Sequence, residues 1–135
     1  MRILFLCTGN SCRSPMAEGF AKQMAPGYEI YSAGVKPEKH VGLFSMMAMK
    51  SLGADISQHQ PTHINQFQNQ KFDKVICFGK DAYVMAFKMF SEDDVEFYDV
   101  ADPWGTKGNE VEVLNVYLNT ANQIRKIVAQ VIYCE

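Results

Sequence analysis

Short apolar runs alternate with longer amphipathic stretches along the whole chain. Residues 3–6 are all apolar, which predicts a buried strand. Three further strands are predicted over residues 28–32, 73–78 and 95–98, and residues 75–78 are nearly all apolar, as expected of a central parallel strand. Apolar residues at helical spacing predict helices over residues 14–24, 42–52, 80–90 and 110–132. In the second helix the expected core-facing residues are Phe44, Met47, Ala48 and Leu52.

The alternation of strands and helices predicts an α/β fold. Because the connections are short and crossovers are right-handed, we expect one four-stranded parallel sheet flanked by helices in three layers. A chain of 135 residues fits one domain over residues 1–135. Ligands of such sheets bind beyond the carboxyl ends of the strands, and the first strand runs into Cys7.

The segment 7–14, with the sequence CTGNSCRS, predicts a phosphate-binding loop between the first strand and the first helix. Backbone N–H groups and the helix dipole favour an anion there. Arg13 adds a planar fork that can hold two oxygens of a tetrahedral oxyanion. A cysteine beside a guanidinium at a helix N-terminus is readily ionised. We therefore expect Cys7 to be a thiolate nucleophile next to a bound phosphoryl group.

The other residues of the loop are expected to shape this cradle and to contact the oxyanion. They are Thr8, Gly9, Asn10, Ser11, Cys12 and Ser14. Gly9 is expected to take a positive φ and approach the ligand closely, and Asn10 also tolerates the left-handed region. Ser14 is expected to cap the first helix, with a hydroxyl that can stabilise the Cys7 thiolate.

A second motif, Asp102-Pro103-Trp104-Gly105, follows the fourth strand and should return to the same edge of the sheet as Cys7. Phosphoryl transfer to a thiolate needs a proton for the departing oxygen, and the resulting carboxylate can then activate water. Asp102 is the candidate for this role, because Pro103 restricts the loop that aims it. Asp99 is the weaker alternative, since no proline follows it.

Composition narrows the function classes. A net charge of −2 gives no sign of nucleic-acid binding, and no apolar run approaches the ~20 residues of a membrane span. No signal peptide is evident, and Cys7, Cys12, Cys77 and Cys134 match no CxxC or zinc spacing. We therefore expect a cytoplasmic protein with free thiols and with no metal or other cofactor. The acidic stretch 92–112 is interpreted as a solvated face, or alternatively as a preference for substrates with basic flanks.

The sequence LFLCTGNSCRSPMAEGF around the loop resembles the N-terminal signature of the low-molecular-weight protein tyrosine phosphatases. Bacterial arginine phosphatases and thioredoxin-coupled arsenate reductases share that superfamily. The resemblance continues through Ser32-Ala33-Gly34 and through residues 52–59, 72–77 and 99–105, so it covers essentially the whole chain.

This resemblance implies hydrolysis of protein phosphotyrosine through a phosphocysteine intermediate. It implies that Cys7 is the nucleophile, that Arg13 holds the phosphoryl group and that Asp102 is the general acid. Trp104 would form a wall of the slot that receives the phenyl ring. Inorganic phosphate and related oxyanions would act as product or inhibitors.

The resemblance also implies roles for residues around the loop. Ser32 and His59 match positions that hydrogen-bond the loop asparagine, here Asn10. Cys12 matches a position that forms a reversible disulfide with Cys7, which a thiol reductant would reopen. On the residues alone, Cys12 is equally a small buried residue behind the loop.

Three alternative functions stay open. An arsenate reductase shares the loop, but its relay needs two more cysteines after the third strand, and residues 79–90 contain none. Reduction through an external thiol donor would not need them. Arginine phosphatases have threonine at the position of Ser11, so this residue does not match their pattern. Many tyrosine phosphatases have a second aromatic residue at the position of Gly105, and its absence here weakens the case for phosphotyrosine. A phosphoprotein-binding module is disfavoured, because a binder needs neither the nucleophile nor the acid.

Overall fold

The computed structural model describes residues 1–134 and contains one parallel sheet between helices. The strands are β1 (Arg2–Cys7), β2 (Glu29–Gly34), β3 (Lys74–Phe78) and β4 (Val95–Tyr98), and their order in the sheet is β2-β1-β3-β4. The helices are α1 (Arg13–Met24), α2 (Leu43–Ser51), α3 (Lys80–Met89) and α4 (Glu110–Tyr133), with 3-10 helices at Ile64–Phe67 and Glu92–Asp94. All three strand pairings are parallel, which confirms the predicted fold class.

The central strand β1 separates two hydrophobic layers. Ile3, Phe5 and Cys7 pack in the cluster that α1, α2 and α4 supply on one face of the sheet. Leu4 and Leu6 pack on the other face, in the cluster that α3 supplies. Residues 3–7 of β1 are buried between the helices, as the apolar run 3–6 predicts. Within residues 1–134, no helix combines the length and apolar character that crossing a membrane requires.

Parallel pairing places the carboxyl ends of β1 and β4 at one edge of the sheet. The loop that follows Cys7 and the loop that carries Asp102 therefore start from the same edge. The 3-10 helix Glu92–Asp94 precedes β4 and lies at the opposite edge. The acidic residues of the stretch 92–112 are therefore divided between the two ends of the parallel strands.

The start of α1 differs from the prediction in one respect that bears on the site. The helix begins at Arg13, and Cys12 precedes it without any side-chain cap. Ser14 lies inside the first turn, so the prediction that Ser14 caps the helix was wrong. Its hydroxyl is engaged with Cys7 and Asn10 instead, which leaves the first backbone N–H groups of α1 without a capping side chain.

Candidate active site

The three predicted catalytic residues, Cys7, Arg13 and Asp102, line one pocket of about 230 Å³. Thr8, Gly9, Ser11, Cys12 and Trp104 line the same pocket, as do Glu38, Gly42, Ser45 and Tyr117. The other two predicted loop residues, Asn10 and Ser14, are fully buried. Their side chains lie behind the loop and support it, and contact of these two residues with the oxyanion stays a prediction.

The carbonyl groups of the loop are tied on its outer side. The segment after β2 donates from Lys36 N to Thr8 O at 2.8 Å, from Glu38 N to Gly9 O at 2.8 Å and from Gly42 N to Ser11 O at 2.9 Å. Within residues 1–134, no backbone N–H from 9 to 13 has an acceptor. Because the N–H and C=O of a peptide point in opposite directions, the N–H groups of residues 9, 10 and 12 point away from that segment and are free for an anion, as in an anion cradle.

The hydrogen bonds of Asn10 determine how the proton of Ser14 is directed. Thr62 N donates to Asn10 Oδ1 at 2.8 Å, which fixes the orientation of the amide. Asn10 Nδ2 therefore donates to Ser14 Oγ, at 2.8 Å. The single hydroxyl proton of Ser14 is then available to Cys7 Sγ at 2.9 Å, a closer acceptor than Ala33 O at 3.5 Å. The geometry thus allows Ser14 to donate to Cys7, and stabilisation of a thiolate by this hydroxyl stays a prediction.

Ser32 and His59 meet Asn10 from the other side. Asn10 Nδ2 donates to Ser32 Oγ at 2.9 Å, and Ser32 in turn donates to Glu18 Oε1 at 2.5 Å. His59 Nε2 lies 3.1 Å from both the backbone O and the Oδ1 of Asn10, so this nitrogen carries the proton. Burial lowers the pKa of His59, while the nearby Glu18 carboxylate acts in the opposite direction. These contacts hold Asn10 at a φ of 51°.

Arg13 is buried under the loop that carries the second motif. Its Nη1 donates to Val100 O at 2.9 Å and its Nη2 to Thr8 Oγ1 at 3.3 Å, so two of its five N–H groups are used. The others remain for an oxyanion. Gly79 has a φ of 109°, and a Cβ on it would lie 3.1 Å from Arg13 Nη1. The end of β3 therefore needs glycine to make room for the guanidinium.

Asp102 and Trp104 form the outer wall of the pocket. Asp102 Oδ1 accepts a hydrogen bond from Trp104 N at 3.0 Å, and Oδ2 lies 3.6 Å from Arg13 Nη2. The Asp102 side chain is 46% exposed, so it can reach both solvent and a bound substrate. Trp104 is 81% exposed, and its ring is thus free to meet a substrate. Asp99 is exposed and does not line the pocket.

Gly9 does not adopt the positive φ that the sequence suggested. The left-handed residue of the loop is Asn10. Gly9 instead leaves room for the Glu38 side chain, because a Cβ on it would lie only 2.9 Å from Cγ of Glu38. The glycine lets the segment after β2 lie directly against the cradle.

The other three cysteines lie in three different environments. Burial raises the pKa of Cys12 to about 12, although the Ser45 hydroxyl acts in the opposite direction. Burial also raises the pKa of Cys77 to about 12. Cys77 packs with α3 on the opposite face of the sheet from Cys7. Cys134 is exposed at the end of α4.

Sequence reasoning missed several residues that shape the site. Asp81 accepts a hydrogen bond from Thr8 Oγ1 at 2.8 Å. It lies in the first turn of α3, directly after β3, and this position was the sequence feature that could have placed it near the loop. Glu18 lies one helical turn after Ser14 on α1. Tyr117 lies on α4, far from the loop along the chain, so no local pattern pointed to it; burial raises its pKa to about 12.

Replacing Asn10 with alanine is expected to destabilise the protein more than the same change at Asn69. Both residues have positive φ, 51° and 67°, but Asn69 is exposed and Asn10 is fully buried. Asn69→Ala should lower the free energy of unfolding by about 1 kcal/mol through backbone strain alone. Asn10→Ala should lower it by about 2–4 kcal/mol, because it also leaves buried partners unpaired. Urea unfolding of both variants measures the difference, and equal losses would contradict the role of Asn10.

Comparison with known proteins agrees with this geometry. An arsenate reductase of Halalkalibacterium halodurans is 36% identical over 126 residues, which cover 92% of this chain and 89% of that protein. A low molecular weight protein tyrosine phosphatase from T. tengcongensis has a TM-score of 0.82 at 28% identity, over 98% of this chain and 97% of the other. An arginine phosphatase from Geobacillus stearothermophilus has a TM-score of 0.80 at 26% identity, over 96% and 89%. Residues 2–132 match the low molecular weight phosphotyrosine protein phosphatase family, and the chain belongs to that family.

Proposed function

We propose that this protein hydrolyses phosphotyrosine in proteins through a phosphocysteine intermediate. One observation carries the proposal above all others. The Cys7 sulfur, which lies 2.9 Å from the Ser14 hydroxyl, is in the same pocket as Arg13 and Asp102. Nucleophile, anion-holding cation and proton donor are therefore present together at a cradle of free backbone N–H groups.

In the first step the Cys7 thiolate attacks phosphorus. The S–P bond forms as the bond from phosphorus to the phenolic oxygen breaks. Arg13 and the backbone N–H groups of the cradle hold the equatorial oxygens, where negative charge is concentrated. Asp102 in its acid form donates a proton to the departing oxygen, which leaves as tyrosine rather than as a phenolate.

In the second step water attacks the phosphocysteine. The Asp102 carboxylate accepts a proton from water as the new O–P bond forms and the S–P bond breaks. Inorganic phosphate leaves, and Cys7 returns as a thiolate. The proton that Ser14 donates favours this leaving group, since Asn10 already occupies a lone pair of the same hydroxyl.

The exposed ring of Trp104 supports an aromatic phosphoester as the substrate. It stands beside Asp102 at the outer wall of the pocket, where the group attached to phosphorus must lie. Stacking of a phenyl ring on such a surface contributes about 0.5–1.5 kcal/mol beyond burial. Gly105 provides no second aromatic wall, so the slot is open on that side.

Arsenate reduction is the second candidate, because the H. halodurans relative carries that name. Reduction of arsenate to arsenite takes two electrons. Cys7 would condense with arsenate and release water, and a second thiol would then attack the Cys7 sulfur, forming a disulfide and releasing arsenite. Cys77 lies on the opposite face of the sheet and Cys134 at the far end of α4, so neither is placed for this attack.

Cys12 is the cysteine that shares the pocket with Cys7. Its raised pKa, about 12, keeps it as a protonated thiol of low nucleophilicity at neutral pH. The described cysteines therefore support an arsenate reductase only with an external thiol as second electron donor. The phosphatase reaction needs no electron donor, and this difference favours it.

Assays of four activities on the same preparation test the proposal. The substrates are p-nitrophenyl phosphate, a phosphotyrosyl peptide, a phosphoarginyl peptide and arsenate with thioredoxin as reductant. We expect hydrolysis of p-nitrophenyl phosphate without added metal, and the highest kcat/KM for the phosphotyrosyl peptide. Turnover of arsenate above both peptide hydrolyses would overturn the ranking. A higher kcat/KM for phosphoarginine would assign the site to that substrate instead.

A further inference from the structure

We propose that Glu38 selects substrates that carry a positive charge next to the phosphoryl group, such as phosphotyrosine flanked by basic residues. This inference rests on the proposed function and concerns the specificity of the same pocket. Glu38 lies in the segment between β2 and α2, and its side chain lines the pocket together with Cys7, Asp102 and Trp104.

The position of Glu38 is set by the cradle itself. Its backbone N–H donates to Gly9 O at 2.8 Å, and Lys36 N donates to Thr8 O at 2.8 Å, so the segment runs alongside the loop in a fixed register. The side-chain stem of Glu38 lies over Gly9, where a Cβ would come within 2.9 Å of Cγ. The carboxylate therefore lies at the rim of the pocket, where it is exposed to solvent and to a bound substrate.

The charged residues that line the pocket divide by depth. Arg13 is 5% exposed and lies at the base, where the phosphoryl group would bind. Glu38 and Asp102 are exposed at the rim, and no lysine lines the pocket within residues 1–134. The part of a substrate that follows the phosphoryl group would thus meet carboxylates and the open face of Trp104. Carboxylates and an exposed indole together favour a cation.

Other charges do not produce the same preference. Glu92, Asp93 and Asp94 precede β4 at the opposite edge of the sheet, beyond the range of a screened contact with the substrate. Lys36, Lys39 and His40 share the segment with Glu38, but they do not line the pocket. Glu38 is therefore the charged residue of this segment that can interact directly with a charge on the substrate.

A pair of phosphotyrosyl peptides of equal length tests the inference, one with arginine and one with glutamate on both sides of the phosphotyrosine. The measured quantity is the ratio of their kcat/KM values at low ionic strength. We expect wild type to favour the basic peptide. Glu38→Gln keeps the stem over Gly9 and should lower the ratio about 2- to 5-fold, the range of an exposed ion pair. Added salt should reduce the preference.

Two matched controls make the outcome specific. Asp93→Asn removes a carboxylate far from the pocket and should leave the ratio unchanged. Lys39→Gln changes the net charge of the segment by the same amount as Glu38→Gln but in the opposite sense. If the substrate preference depended on the net charge of the whole segment, Lys39→Gln would raise the kcat/KM ratio as much as Glu38→Gln lowers it. That result would overturn the specific role of Glu38.

The remaining outcomes distinguish a failure of this inference from a failure of the proposed function. A ratio that Glu38→Gln leaves unchanged, while p-nitrophenyl phosphate is still hydrolysed by wild type, would overturn the inference alone. Failure of wild type to hydrolyse p-nitrophenyl phosphate would overturn the proposed function. A phosphoarginyl peptide that exceeds the basic phosphotyrosyl peptide, and that loses this advantage in Glu38→Gln, would identify the phosphorylated guanidinium itself as the cation.

Discussion

Replacing Cys7 with serine is expected to reduce the hydrolysis of p-nitrophenyl phosphate below detection. The serine hydroxyl is a far weaker nucleophile than the thiolate, and the side chain that Cys7 contacts, the Ser14 hydroxyl, is too weak a base to activate it. Removal of the nucleophile from other covalent enzymes lowers kcat by roughly 10⁶-fold. Initial rates over a range of enzyme concentrations measure the loss.

The same variant should still bind the product. Arg13 and the backbone N–H groups of the cradle are unchanged by the substitution, so inorganic phosphate should raise the Tm of Cys7→Ser as it does that of wild type. Cys134→Ser, which alters an exposed cysteine, is the matched control and should keep full activity. Measurable turnover by Cys7→Ser within tenfold of wild type would exclude a phosphocysteine at this position.

Asp102→Asn is expected to lower kcat by about 10²–10⁴-fold, the usual contribution of a positioned general acid and base. The amide keeps the shape of the side chain and can still accept from Trp104 N, but it can neither donate the proton nor activate water. The loss should be larger for a phosphotyrosyl peptide than for p-nitrophenyl phosphate, because nitrophenolate leaves readily without a proton.

Asp99→Asn is the matched control for this prediction. Asp99 is exposed, follows the same strand and does not line the pocket. Its substitution should change kcat by less than about twofold, since a surface change away from the site has little effect. A loss at Asp99 that equals or exceeds the loss at Asp102 would transfer the acid–base role to Asp99.

Local sequence pattern was sufficient to predict the fold and to name the central candidate residues of the site. The run at 95–98 predicted β4 with its observed bounds, and the apolar run 75–78 predicted the central strand β3. The spacing from Cys7 to Arg13 indicated the cradle, because strand, loop and helix N-terminus are adjacent in sequence. Such local signals need no knowledge of distant contacts.

Contacts between distant parts of the chain account for what the sequence did not predict. Glu38 and Asp81 reach the loop from other segments, and only the folded sheet brings them there. The buried face of α2 was also misjudged, since Met47 is 40% exposed and Met49 is fully buried. Met49 lies against Gly19 of α1, so packing between helices, and not spacing within α2, determined which methionine was buried.

Alkylation by iodoacetate at about pH 5.5, far below the ordinary thiol value of about 8.5, tests the central claim most directly. Cys134 is an exposed internal reference, and peptide mapping gives both rates in one sample. If Cys7 rests as a thiolate in an anion cradle, it should react roughly 10- to 100-fold faster than Cys134, and phosphate should protect Cys7 alone. A Cys7 that reacts more slowly than Cys134, or that phosphate does not protect, would contradict this account.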